Sequence, residues 1–319
     1  MSRPDAAHQR AERGEFRAGG RVLPLLADAA NVAILRILAD GELRGHELTE
    51  RLKHVSRTTQ FGRLRDLEEM KVIARETLAL VPRQSAYRLT AAGGQLLPTA
   101  VPLEAWLAAG EPEPLCLGEA GATEPLKALD SALNSTILRW LAEGNRSPTE
   151  LERLVHEGGY LDLKRVLRSL KRTGLVEQVR GADRRHPYEL TRWARQAAAP
   201  LGAMIRWERD YIPELGSPLS PLDVEALLLL AAPLIEFPSD RNGACALIVN
   251  DLGAVSVVIE SGRVTSCVPG VENGLTSLAR GSRAGWRAAI VGGTPAALQI
   301  QGDTGFTAGL VQALCEVLR

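Results

Sequence analysis

The chain has 319 residues, 45% of them hydrophobic, and its 38 basic side chains are matched by 38 acidic ones; this is the composition of an ordinary soluble protein with material for two or three separate cores. No apolar run reaches the roughly 18 to 20 residues that a membrane span requires, and the arginine-rich start lacks the apolar stretch of a signal peptide, so a cytoplasmic protein without a membrane partner is expected. The four cysteines, Cys116, Cys245, Cys267 and Cys315, stand singly, without the paired spacing of a zinc site or a redox motif.

Residues 1–20, rich in Arg, Glu, Ala and Gly, have no apolar periodicity and read as a flexible arm. A first domain is expected over residues 21–109. Its apolar helix from Val32 to Leu38 is closed by Asp40-Gly41, and a short helix follows over about 45 to 53. Ser56 then caps a third helix, about 57 to 70, with Leu64 and Leu67 inward and Arg57, Thr58, Phe61, Gly62 and Arg65 outward. Gln60 stands where an inward leucine would be expected. Val72 to Leu80 reads as a strand, Val81 to Ser85 as a turn and Ala86 to Leu89 as the return strand, with Thr90 starting another helix.

Residues 110–123, with Glu111-Pro112-Glu113-Pro114, form a linker, and then the first domain recurs. Ile34-Leu35-Arg36-Ile37-Leu38-Ala39-Asp40-Gly41 returns as Ile137-Leu138-Arg139-Trp140-Leu141-Ala142-Glu143-Gly144, and the same offset places Glu47-Leu48 on Glu150-Leu151 and Leu64-Arg65 on Leu167-Arg168. After residue 78 the offset shortens by two, so that Tyr87, Leu89, Thr90 and Trp106 fall on Tyr188, Leu190, Thr191 and Trp207. A length change confined to one loop tip is what a surface segment tolerates. The second domain is expected over residues 124–214. Lys164, Arg165, Arg168, Lys171 and Arg172 lie along its third helix, and its hairpin tip, Arg180-Gly181-Ala182-Asp183-Arg184-Arg185-His186-Pro187, is the most basic loop of the chain.

Each repeat, three helices and then a hairpin, has the winged helix-turn-helix order. The residues Arg44-Gly45-His46-Glu47-Leu48, Val55-Ser56, Arg63-Leu64-Arg65-Asp66-Leu67-Glu68, Tyr87-Arg88-Leu89-Thr90-Ala91-Ala92-Gly93 and Trp106 resemble the HxlR branch of winged-helix transcription regulators, relatives of the MarR and ArsR types. The cysteine usual near the start of that family is absent. The resemblance implies a double-stranded DNA partner met by the third helix and the wing. Candidate contacts are Arg57, Thr58, Arg63, Arg65 and Arg83 in the first copy, and Lys164, Arg165, Arg168, Arg180, Arg184 and Arg185 in the second. The zero net charge does not oppose this, because residues 217 to 319 carry six basic and nine acidic side chains and leave the remainder net basic.

A second linker, residues 215–220, precedes an α+β pattern over 221–319. A helix from Val224 to Ile235 leads to strands Ala244 to Val249 and Ala254 to Ile259, a Ser261-Gly262 turn and a strand Val264 to Val268. Ser282 caps a helix through Trp286 and Ile290, Ala296 to Gln301 forms a further strand, and Phe306, Leu310, Leu314 and Leu318 make a stripe on the last helix. Ser261-Gly262-Arg263-Val264, Arg283-Ala284-Gly285-Trp286 and Gly302-Asp303 resemble the sterol carrier protein type two fold. That resemblance implies a tunnel for a hydrophobic small molecule, lined by Leu229, Ile235, Trp286, Ile300, Phe306 and Leu310, although a closed core fits the same residues.

No phosphate loop, nucleophile elbow or zinc-protease helix occurs, and the five histidines lie in the arm or the winged helices, so neither an enzyme nor a cofactor is expected. The expected protein is a multidomain regulator. In it two winged helices, in a monomer with a pseudo-two-fold repeat or in a homodimer, read DNA, and the last domain senses an apolar effector. An alternative is a lipid-binding carrier or adaptor whose winged helices hold protein partners.

Overall fold

The computed structural model describes residues 21–80, 83–110, 113–130, 132–154, 160–179, 186–212, 221–249, 253–292 and 295–318. In the first unit α1 (Val22–Leu26) turns into α2 (Ala29–Ala39) at Asp28, whose carboxylate accepts the N–H groups of Ala30 and Asn31 at 3.0 and 3.2 Å. That cap satisfies two of the donors a helix start leaves open. Val32, Ile34, Leu35 and Leu38 recur at helical spacing and are buried. A short β1 (Leu43–Arg44), α3 (Gly45–Arg51) and α4 (Arg57–Glu69) follow, then the hairpin of β2 (Ile73–Leu80) and β3 (Arg83–Leu89), then α5 (Ala91–Thr99) and α6 (Val101–Ala108). β1 pairs with β3, so the sheet runs β1-β3-β2.

The second unit has the same order, except that β1 is reduced to a single bridge between Arg146 and Tyr188. α7 (Ala120–Asp130), α8 (Ala132–Ala142), α9 (Pro148–Leu154) and α10 (Tyr160–Arg172) precede β4 (Val176–Gln178) and β5 (Tyr188–Leu190), then α11 (Arg192–Gln196) and α12 (Ala198–Tyr211). The repetition reaches single bonds. Thr90 caps α5 by accepting from Gly93 N–H and donates to the carbonyls of Lys71 and Val72. Thr191 caps α11 by accepting from Ala194 N–H and donates to the carbonyls of Gly174 and Leu175. Lys71 and Gly174 both have positive φ, 57° and 75°. Only the second copy places there the residue for which this conformation is free of strain.

The two units grip each other through their last helices. Trp106 and Trp193 stack with ring centroids 4.5 Å apart and planes within 5°. Trp106 Nε1 donates to the carbonyl of Trp193 at 2.7 Å, and Trp207 Nε1 donates to the carbonyl of Ala92 at 3.0 Å. Trp207 is the repeat equivalent of Trp106 and Trp193 that of Ala92, so each unit gives the other the same bond, the signature of a two-fold interface. Helices α1 and α7, equivalents by position, also pack together. Across the same interface the buried Glu208 accepts the N–H groups of Arg21 and Val22 at 2.7 and 3.0 Å, closing the start of α1 from the opposite unit.

Residues 221–318 form a sheet ordered β10-β9-β6-β7-β8 with helices packed on it. Its elements are α13 (Pro221–Ala231), β6 (Gly243–Val249), β7 (Gly253–Glu260), β8 (Arg263–Pro269), β9 (Ser277–Gly281), α14 (Arg283–Gly292), β10 (Gln299–Gly302) and α15 (Thr304–Val317). β9, which the residue pattern does not announce, lies between β10 and the central β6 and is parallel to β6. The strand expected over Ala296 to Gln301 starts as a turn of 3-10 helix, Pro295–Ala297, and becomes β10 only at Gln299. Ser261 and Gly262 make the β7–β8 turn with φ of 52° and 77°. Among the described residues no helix is long and apolar enough to cross a membrane, and no cluster of His, Cys, Asp or Glu could hold a metal ion.

This domain is fastened to the second unit. Arg139 on α8 is 7% exposed and lies 3.5 Å from Glu225 of α13 and 3.8 Å from Glu143, with its guanidinium 5.6 Å from the centre of the Trp140 ring. Arg195 donates to the carbonyl of Leu229 and Arg206 to that of Leu318. At Gly202 the backbone of α12 comes so close that a Cβ would stand 2.7 Å from the Leu318 carbonyl.

Two outcomes follow from these contacts. Burial pushes the Glu208 carboxyl above the usual glutamate range, against the lowering effect of its backbone hydrogen bonds. The folded state therefore holds that proton more tightly, and its contribution to stability is lost as pH rises through the raised value. Glu208→Gln, which keeps an acceptor without the charge, should remove that slope from urea denaturation measured across the acid range; an unchanged slope would show that Glu208 is not its source. Arg139→Met and Glu225→Leu should each cost about 3–5 kcal/mol by stranding a buried charge, and the double replacement should recover most of the loss. Simple addition of the two losses would show that the charges are not coupled.

Candidate nucleic-acid interface

In the first unit α4 is fixed from beneath. Ser56 Oγ accepts from Thr59 N–H at 3.2 Å, and Leu64 and Leu67 are buried. Gln60 is also buried, and its amide donates to the carbonyls of Leu52 and Val55, each at 2.9 Å. The residue that looked out of place inside the helix thus satisfies the Val55 carbonyl and adds a second bond to that of Leu52, which also accepts from Val55 N–H at 2.8 Å.

The outward face carries Arg57, Thr58, Phe61 and Arg65, all exposed, with Arg65 3.5 Å from Glu69. Arg63 is placed otherwise. Its guanidinium reaches Asp28 at 2.6 Å and Asp66 at 3.2 Å, tying α4 to the cap of α2. Arg83 opens β3, and its side chain lies outside the described residues.

A groove of about 400 Å³ opens between α3, α4 and the hairpin. Arg44, His46, Arg57, Phe61, Arg75 and Tyr87 line it, with Glu50 the acidic member. Arg75 is held by a bond from its Nε to Ser85 Oγ at 3.0 Å and lies 5.9 Å from the Tyr87 ring centre. Arg75 was not among the residues expected from sequence. Its signal was the strand alternation that puts it opposite Tyr87 in the register of β2 and β3.

In the second unit Ser147 and Glu150 form a reciprocal cap on α9: Ser147 N–H donates to the Glu150 carboxylate at 2.7 Å and Glu150 N–H to Ser147 Oγ at 3.3 Å. The Ser147 hydroxyl, donating to the same carboxylate, holds the Glu150 carboxyl below its ordinary value. Leu163, Leu167 and Leu170 turn α10 inward, while Lys164, Arg165, Arg168, Lys171 and Arg172 are exposed. Asp162, an acid on the same helix, is matched by Arg165 at 2.8 Å, Lys171 donates to Gln178 and Arg172 pairs with Glu124. Arg180, Arg184 and Arg185 of the hairpin tip lie outside the described residues.

The two third helices differ in charge. On α4 three arginines face Asp66, Glu68 and Glu69; on α10 five basic residues face Asp162 alone. A phosphate backbone would be gripped more strongly by α10.

The six side chains expected around an apolar ligand are packed together in the last domain. Leu229, Trp286 and Leu310 are fully enclosed, Ile235 and Phe306 nearly so, and Ile300 half-buried. The Phe306 ring lies so close over Gly243 that a Cβ there would come within 2.7 Å, and Trp286 Nε1 donates to the Ile248 carbonyl at 2.7 Å.

Residues 25–113 match the family model described as HxlR-like helix-turn-helix. The chain is also similar to the HTH-type transcriptional regulator YodB of Bacillus subtilis (strain 168), 32% identical over 82 residues that make up 26% of this chain and 73% of that protein. With its helix-turn-helix at residues 25–113, the chain belongs to the HxlR-like helix-turn-helix family.

Proposed function

We propose that this protein is a DNA-binding transcription regulator in which both helical units are winged helices, joined in one chain as a pseudo-dimer that binds double-stranded DNA. The observation that carries this reading is the exchange of equivalent bonds, Trp106 to the Trp193 carbonyl and Trp207 to the Ala92 carbonyl, which relates the units by a local two-fold. A two-fold pair of helix-turn-helix units presents its third helices as a pair, the geometry that reads two half-sites. Both third helices keep their charged faces in solvent. The family membership of residues 25–113 and the similarity to the HTH-type transcriptional regulator YodB support the same reading.

The last domain, which resembles a sterol carrier fold, is on this reading the sensor. Leu229 lies in the helix that sets Glu225 against Arg139, so an apolar effector that opened the core around Leu229, Trp286 and Leu310 would shift α13 and with it the second winged helix. The differential contact is the ion pair itself. An effector that left α13 in place would change nothing at the DNA.

The test is duplex binding by fluorescence anisotropy against promoter fragments from the gene's own neighbourhood, over 50 to 300 mM salt. The logarithm of affinity should fall linearly with the logarithm of salt, and Lys164→Ala with Arg168→Ala should make the slope shallower by about 2, near 0.9 for each phosphate no longer neutralised. Absence of binding at the lowest salt would sink the regulator reading; an unaltered slope would remove α10 from the interface.

A further inference from the structure

We infer that Phe61 is a specificity-determining residue that reads the 5-methyl group of thymine in the half-site met by the first unit, while the second unit grips phosphates; the inference rests on the proposed DNA-binding function. Phe61 is 62% exposed, the largest of the exposed apolar side chains among the described residues. The interior has no need of it, since Gln60, Leu64 and Leu67 occupy the buried face of α4. Its neighbours one turn away on the outward face are Arg57 and Arg65, and the groove beside it carries Arg44, His46 and Arg75. An apolar protein surface or a lipid tail seated on Phe61 would have to strip water from these guanidinium groups without replacing it. A duplex supplies phosphates for them and, on the edge of its major groove, one apolar group, the thymine methyl.

Two further observations point the same way. A Cβ built on Gly62 meets no atom of the chain within 4 Å, so the fold does not require glycine there, in the middle of a helix. Glycine there leaves this part of the helix surface open to close approach from outside. In the second unit the positions of Phe61 and Gly62 are Lys164 and Arg165, long cations that reach a backbone at a distance. The chain thus puts an apolar, closely fitting surface on one third helix and an extended cationic surface on the other.

The experiment starts from a duplex selected from random sequence by the full-length protein at 50 mM salt. Each thymine of the selected site is then replaced in turn by deoxyuridine, which removes only the methyl. Wild type should lose about fourfold in affinity at one or two thymines of a single half-site, the worth of one buried methylene-sized group. Phe61→Ala should bind the thymine and uracil duplexes equally and keep the wild-type salt slope, and Phe61→Leu should retain part of the preference. Gly62→Ala should weaken binding to the selected duplex while leaving the melting temperature unchanged or raised. The inference is overturned if wild type is indifferent to uracil at every position, or if Phe61→Ala keeps the full preference. Failure of wild type to bind any duplex is a different result, and it overturns the regulator reading and this inference together.

Discussion

Each indole N–H that ends in the carbonyl of the opposite unit fixes how the two repeats stand, and most of the molecule is arranged around that exchange. A buried N–H and a buried carbonyl each cost about 1–3 kcal/mol if left bare; Trp193 Nε1 also donates to the Trp106 carbonyl at 2.7 Å, so a slip of one unit against the other would expose three donors and three acceptors together. The Trp106–Trp193 stack adds a geometric condition, because flat rings 4.5 Å apart tolerate little tilt. Glu208 adds a third by reaching across to the start of α1. These constraints lie on the helices after the hairpins, away from α4 and α10. The interface can be rigid without occupying the surfaces that face solvent.

The attachment of the last domain follows a different physical logic. Arg139, Glu143 and Glu225 are buried charges at ion-pair distances of 3.5 to 3.8 Å, longer than good hydrogen bonds, and such groups add little net stability because removing them from water costs as much as their attraction returns. Their effect is to make one docking position far better than its neighbours, since any shift strands a charge. In the first repeat the position of Arg139 is Arg36, whose exposed partner is Glu104 of the same unit. The same arginine, buried in one copy and solvated in the other, marks which repeat carries the last domain.

The repeat was legible in the sequence because the constant offset spans core positions, where substitution is restricted by packing. Trp106 and Trp207 were legible as equivalents for the same reason. Their partners were not, since a backbone carbonyl leaves no mark on residue type, and Trp193 has only Ala92 opposite it in the first copy. β9 was missed because Ser277-Leu278-Ala279-Arg280-Gly281 is short and lacks β-branched residues, and its place is set by pairing with β6 and β10. Arg63, a contact implied only by the family resemblance, lies near the edge of the outward face, and Asp28, far off in sequence, claims it. Gln60 shows the converse, a polar residue whose spacing correctly placed it inside while its type gave no sign of the two carbonyls waiting there.

Joining the repeats in one chain changes what substitution can do. In a homodimer every change on a third helix appears twice, so a surface cannot be specialised for close reading on one side and strong charge on the other. Here the positions of Phe61, Gly62, Glu68 and Glu69 are Lys164, Arg165, Lys171 and Arg172 in the second copy, and the charge of α10 rises without burdening α4 with repulsion. A cationic helix captures duplex from a distance and raises the rate of encounter, but carries little sequence information. On the proposed function, the neutral helix would then meet the bases of the held duplex as an intramolecular event at high effective concentration, so even contacts worth a few-fold each would be enough to choose a site. On this account the fixed two-fold geometry at the tryptophans is what converts the grip of one helix into reading by the other.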